Sequence, residues 1–105
     1  MKIVVVCSYA LSSAMLAEAM EKLAKERGLP IEAEHVYPEK LKDCIDECDV
    51  VLLSPQVRYH ADSIKKIAEP AGVPVVAIPM EVYGHVDAEK AIELALSAQK
   101  YNREA

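Results

Sequence analysis

Two short runs of this chain are apolar throughout, Ile3 to Val6 and Val50 to Leu53, while a third, Ile31 to Val36, alternates apolar with charged or polar residues. Unbroken apolar runs of four or five residues suit strands covered on both faces, and alternation suits a half-exposed strand at a sheet edge. The residues between them keep helical spacing. Met15, Leu16, Ala19, Met20 and Leu23 form one stripe of a helix from Ser12 to Arg27, with Glu18, Lys22 and Lys25 opposite and Gly28 as its C-cap. Pro38 opens a short helix from Glu39 to Glu47, and a third helix from Val57 to Glu69 puts Ala61, Ile64, Ile67 and Ala68 on one face before Pro70 and Gly72 stop it. Pro74 to Ile78 reads as a fourth strand and Pro79 to Val86 as a loop. Asp87 is then the N-cap of a last helix carrying Ala91, Ile92, Leu94, Ala95 and Ala98.

Four strands alternating with four helices predict an α/β fold: a four-stranded parallel sheet with helices on both faces. Right-handed crossovers and the polar second strand give the order 2-1-3-4, a flavodoxin-like half. Ligands of such sheets bind beyond the carboxyl ends of the strands, where the chain reverses direction. That rule aims the loop after Val6 and the loop from Ser54 to Tyr59 into one crevice. The 105 residues are expected to make a single domain, 1–105, with no linker or repeat.

Charge and composition narrow the function. A net charge of −5 excludes the basic stripe of a nucleic-acid surface, and five Tyr without Phe or Trp provide no platform for stacking bases. No run approaches the ~20 apolar residues of a membrane span. Three cysteines without a disulfide framework fit a reducing compartment, so a cytoplasmic location is expected.

The chemistry concentrates at Cys7. It sits where a strand ends and a loop turns into a helix, so backbone N–H groups and the positive end of the helix dipole favour the thiolate and suit a phosphate dianion. Ser8, Ser12 and Ser13 add hydroxyls, and the implied reaction is attack of sulfur on phosphorus to give a cysteinyl phosphate. The plain alternative is a small buried hydrophobe ending a strand. Cys44 and Cys48, four apart on the second helix, share a face and read as packing residues rather than half of a zinc site. No metal or cofactor is expected. His35, His60 and His85 read as solvated side chains, none spaced to Cys7 as a base.

Three segments together resemble a known family. Cys7-Ser-Tyr-Ala-Leu-Ser-Ser-Ala14 resembles the Cys-x-x-Gly-Met-Ser-Thr-Ser loop of enzyme IIB of the lactose, cellobiose and diacetylchitobiose class of the phosphoenolpyruvate-dependent sugar phosphotransferase system. Leu53-Ser-Pro-Gln-Val-Arg-Tyr59 is similar to its Gly-Pro-Gln-Val-x-Tyr segment, and Tyr83-Gly-His-Val-Asp87 to its Tyr-Gly-x-Val-Asp segment. The resemblance implies a phosphocarrier: Cys7 accepts a phosphoryl group from a histidine of the IIA protein and passes it to a sugar held by the IIC membrane permease. It implies a phosphate-binding loop of Ser8, Tyr9, Ala10, Leu11, Ser12, Ser13 and Ala14, with Gln56 and Tyr59 on the neighbouring loop. Ala10 stands where the family has Gly. If that position needs a left-handed backbone, its Cβ costs ~1–2 kcal/mol, and Ala10→Gly is expected to relieve strain.

Two other readings share the fold. A low-molecular-weight tyrosine phosphatase or arsenate-reductase-like enzyme also places a cysteine after the first strand, but in a Cys-x5-Arg-Ser/Thr loop. Here Ser13 takes the arginine position, and no Asp-Pro pair offers a general acid. A non-catalytic or engineered scaffold of the same fold is the third. The carrier is favoured because the Cys7 loop holds neither carboxylate nor histidine to activate water.

Overall fold

The computed structural model describes residues 1–8 and 10–104, with the side chains of residues 10, 58 and 101–104 excepted. Four strands, β1 (Lys2–Val6), β2 (Glu32–Val36), β3 (Val50–Leu53) and β4 (Val75–Ala77), form one sheet of order β2-β1-β3-β4 with every pairing parallel. The expected order is therefore the observed one. The two wholly apolar strands lie in the centre, and Val4, Val5, Val50, Val51 and Leu52 are fully buried. On β2 Ala33 packs into one layer and Val36 into the other, while Glu32 and Glu34, on the same face as Val36, are exposed as suits an edge strand.

Among the described residues five helices flank the sheet: α1 (Ala10–Glu26), α2 (Leu41–Cys44), α3 (Ala61–Ala68), α4 (Met80–Gly84) and α5 (Ala88–Glu104). On one face Ile3, Val5, Cys7, Val50 and Leu52 pack against Leu16, Ala17 and Met20 of α1 and Ala91, Ile92 and Ala95 of α5. On the other, Val4, Val6, Val51 and Leu53 meet Leu41, Ile45, Ile64 and Ala68. Burying a Leu or Ile side chain contributes roughly 1.5–3 kcal/mol, so both layers are held by the same apolar residues that set the strands. Gly28 ends the α1 segment in the left-handed region (φ 69°), and the Leu29 amide returns to the Ala24 carbonyl at 2.8 Å. The Asp87 carboxylate accepts the Lys90 amide at 3.2 Å, the expected N-cap contact of α5.

Three expectations are corrected. The second helix is not continuous: 3-10 turns at Pro38–Lys40 and Ile45–Glu47 flank the four-residue α2. Cys44 leaves helical geometry (φ −128°, ψ 5°) and Cys48 is extended, so the two do not share a helix face. The third helix begins at Ala61, after a 3-10 segment at Pro55–His60 whose Val57 is non-helical. Residues 79–86 are not all loop, because α4 makes a turn and a half of helix there.

Candidate functional site

Cys7 follows β1 directly, its amide donating to the Val36 carbonyl of β2 at 3.3 Å. α1 starts three residues later, earlier than the expected Ser12. The first four amides of a helix have no partner within it, and the first turn of α1 carries no acidic residue to occupy them. The arrangement suits an anion at this end of the helix.

The thiol itself is covered. Cys7 is 0% exposed, and its Sγ lies 3.3 Å from the Tyr83 hydroxyl and 4.0 Å from Oε1 of Gln56, to which it donates. Tyr83 is in turn 2.9 Å from the hydroxyl of Ser13, also fully buried. A donor chain that uses every proton runs from Ser13 to Tyr83 to Cys7. Burial raises the Tyr83 pKa above its ordinary value, the contact with Cys7 adds to the rise, and the Ser13 hydroxyl opposes it. The phenol therefore stays protonated and can donate. Below the sulfur, Nε2 of His35 donates to the Cys7 carbonyl oxygen at 2.9 Å, and its ring stands edge-on to Tyr37 at 4.6 Å. His35 is thus half-buried and holds the backbone of the cysteine, contrary to the expectation of a solvated side chain; His60 and His85 are exposed.

The expected loop residues divide. Ser13 faces the sulfur's neighbourhood, while Ser8, Leu11, Ser12 and Ala14 are exposed and Tyr9 lies outside the described residues. Gln56 comes within reach of Sγ. Tyr59 is 76% exposed and pairs with the His60 ring at 4.4 Å. Ala10 is the first residue of α1, so the expectation of a left-handed residue there is overturned. The strained position is Val86 (φ 51°), which turns the corner from α4 into α5, three residues after Tyr83. A β-branched side chain in that region costs ~1–2 kcal/mol, met here by amide bonds from Val86 to Tyr83 and from Asp87 to Val82 at 3.2 and 2.9 Å.

Two residues outside the expected site set join it, although Ser54 opens the loop expected to face the crevice. Tyr83 was hidden because Pro79 and Gly84 read as loop punctuation. Ser54 read as a strand stop, yet the apolar pattern and strand order together place it beside Cys7. Its hydroxyl is buried and has no hydrogen-bond partner among the described residues.

The remaining thiols differ. Cys48 Sγ donates to the Cys44 carbonyl at 3.1 Å, and burial pushes its pKa up to about 12, with Cys44 adding to the shift. It is a protonated packing group at neutral pH. Among the described residues no three His, Cys, Asp or Glu side chains converge as metal ligands, and no helix is long and apolar enough to cross a membrane.

A 2-1-3-4 parallel sheet with a thiol between its central strand and the next helix defines a flavodoxin-like α/β protein with a cysteine loop. Residues 2–94 match the family model of the lactose/cellobiose-specific IIB subunit of the phosphotransferase system, and the chain belongs to that family of sugar phosphotransferases. It is 33% identical over 96 residues to the oligo-beta-mannoside-specific EIIB component of Bacillus subtilis, covering 91% of this chain and 93% of that one. It is also 36% identical over 75 residues to the lactose-specific EIICB component of Lacticaseibacillus casei, covering 70% of this chain and 13% of that protein. Among solved structures it is similar to the lactose-specific IIB component domain of Streptococcus pneumoniae, with a TM-score of 0.84 at 28% identity over 93% of this chain and 96% of that one.

Proposed function

We propose that this chain is a phosphoryl carrier that forms a cysteinyl phosphate on Cys7. The observation that carries the reading is the position of this thiol. It follows a central strand, three residues before α1, whose first turn carries no acidic residue, with the Ser13–Tyr83 hydroxyl pair against its sulfur. The donor is a phosphohistidine of a IIA protein. The N–P bond breaks as the S–P bond forms, and the proton lost by the thiol ends on the released histidine nitrogen. In the second transfer the S–P bond breaks and a sugar hydroxyl gains the phosphoryl group, its proton returning to the thiolate. The acceptor is a sugar of the cellobiose, lactose or chitobiose class held by a IIC membrane permease. The fused EIICB relative supports that partner, and through it a cytoplasmic site at the membrane.

Two partners must reach one sulfur, and the surface supports this. Leu11 and Met15 at the start of α1, Tyr59 after β3 and Met80 opening α4 are 76, 51, 76 and 62% exposed, all on elements that follow carboxyl ends of strands. Exposed apolar residues at this end of the sheet suit protein docking. Because Cys7 is buried at rest, docking uncovers its sulfur. A phosphatase reading lacks comparable support, since Ser13 fills the arginine position and spends its hydroxyl on Tyr83. The test is intact mass at neutral pH after incubation with phosphoenolpyruvate, the general phosphotransferase components and a IIA protein. A gain of ~80 Da is expected; an unchanged mass with an active IIA donor contradicts the reading.

A further inference from the structure

We propose that the Ser54 hydroxyl is a phosphoryl-binding group of this chain, donating to an oxygen of the phosphoryl group on Cys7; the inference rests on the cysteinyl-phosphate reading. The sheet register puts the two residues side by side. Val6 pairs with Leu53 in the last rung between β1 and β3, and the Ser54 amide extends the ladder by donating to the Val6 carbonyl at 3.1 Å. Strand alternation then sorts the faces. Val5 and Leu52 pack in the same layer as Cys7, whereas Val6 and Leu53 pack in the opposite one. One residue further on, Ser54 falls on the Cys7 face, on a strand about 4.8 Å away.

Every polar group of Ser54 except one is accounted for. Its amide serves Val6, its carbonyl accepts the Val57 amide at 3.1 Å, and both bonds fix the residue at the strand end. Only the hydroxyl, on a residue that is 0% exposed, has no partner among the described residues. Native proteins leave few buried polar atoms unpaired, because each has given up water without return. A phosphoryl group on the neighbouring sulfur brings three acceptor oxygens into the space between the strands and supplies that partner. The effect of the hydroxyl falls on the phosphorylated state: the unmodified thiol leaves the hydroxyl unpaired, and the modified one satisfies it. The bond made only after transfer shifts the phosphoryl equilibrium from the IIA histidine towards Cys7.

The experiment compares wild type with Ser54→Ala and Ser54→Gly at equilibrium with a phosphorylated IIA protein, reading the ratio of phosphorylated IIB to phosphorylated IIA by intact mass at neutral pH. Thermal midpoints of the unmodified proteins are measured alongside. The expected result is a ratio about tenfold lower in Ser54→Ala, a factor equivalent to about 1.4 kcal/mol, with a thermal midpoint equal to or above that of wild type. A ratio within twofold of wild type overturns the proposal and leaves the cysteinyl phosphate standing. So does a lower ratio accompanied by a matching loss of stability, or failure of both variants to fold, since each marks a structural hydroxyl. Absence of an adduct on wild-type Cys7 overturns both readings.

Discussion

Cys7 and Cys48 are both buried thiols at strand boundaries, and their surroundings are opposite. Cys7 leaves the carboxyl end of β1 and meets hydroxyls, from Tyr83 at 3.3 Å and from Ser13 behind it. Cys48 stands before the amino end of β3 and meets a carbonyl, that of Cys44 at 3.1 Å. A carbonyl can only accept, so the proton stays on sulfur, and burial, with the neighbouring Cys44 thiol adding to it, pushes the Cys48 pKa up to about 12. Hydroxyls can donate to a sulfur anion or to a phosphoryl group. The same residue type is thereby a packing group at one end of the sheet and a donor-lined thiol, the proposed phosphoryl acceptor, at the other. The direction of the strands decides which, because helix N-termini gather at the carboxyl ends.

Removing the phenol is the strongest single-atom challenge to this contrast. Tyr83→Phe takes the donor from Cys7 and leaves the buried Ser13 hydroxyl without its partner. Phosphoryl acceptance from the IIA protein is expected to slow about tenfold and unfolding free energy to fall by about 1 kcal/mol. Rapid-quench transfer and urea denaturation measure the two; an unchanged transfer rate removes Tyr83 from the site. A smaller effect is expected at Ala10. Because α1 already begins there, Ala10→Gly adds freedom to the unfolded chain and costs up to about 1 kcal/mol without improving transfer. Faster transfer in that variant means the working loop uses a left-handed residue at this position.

Cys48 gives the smallest effect, visible only in alkali. Its folded pKa of about 12 lies above the ordinary 9.0, so the folded state holds the proton that the unfolded chain releases. Its contribution is fully present below about pH 9 and is lost as pH rises towards 12, and Tyr83, raised from 10.0, acts with the same sign. Cys48→Ala is expected to flatten the fall in stability between about pH 8 and pH 10.5. Equal slopes in the two proteins contradict the assignment of a buried thiol that stays protonated.

The fold was legible because the two kinds of apolar pattern report different things. Continuous burial at 3–6 and 50–53 placed β1 and β3 in the centre, and alternation at 31–36 placed β2 at the edge. The position of Cys7 followed from the same pattern. Less of the site was legible, because its contacts join residues far apart in the chain. Tyr83 is 76 residues from Cys7 and arrives on a five-residue helix too short to show a period. Local rules also misled where they assumed continuity. Spacing of four puts Cys44 and Cys48 on one face only in an unbroken helix, and Cys44 breaks it. The left-handed residue sought at Ala10 lies at Val86, since the tight corner is the one that presents Tyr83, not the one that starts α1.

The central claim is that the donor-lined thiol, and not the acceptor-held one, carries the phosphoryl group. It is tested most directly on two proteins, Cys7→Ser and the double variant Cys44→Ala/Cys48→Ala, each phosphorylated through the IIA protein and weighed intact at neutral pH. The account predicts a full ~80 Da adduct on the double variant, where Cys7 is the sole cysteine, and none on Cys7→Ser. An adduct that survives in Cys7→Ser, or one that vanishes with Cys44 and Cys48, contradicts it.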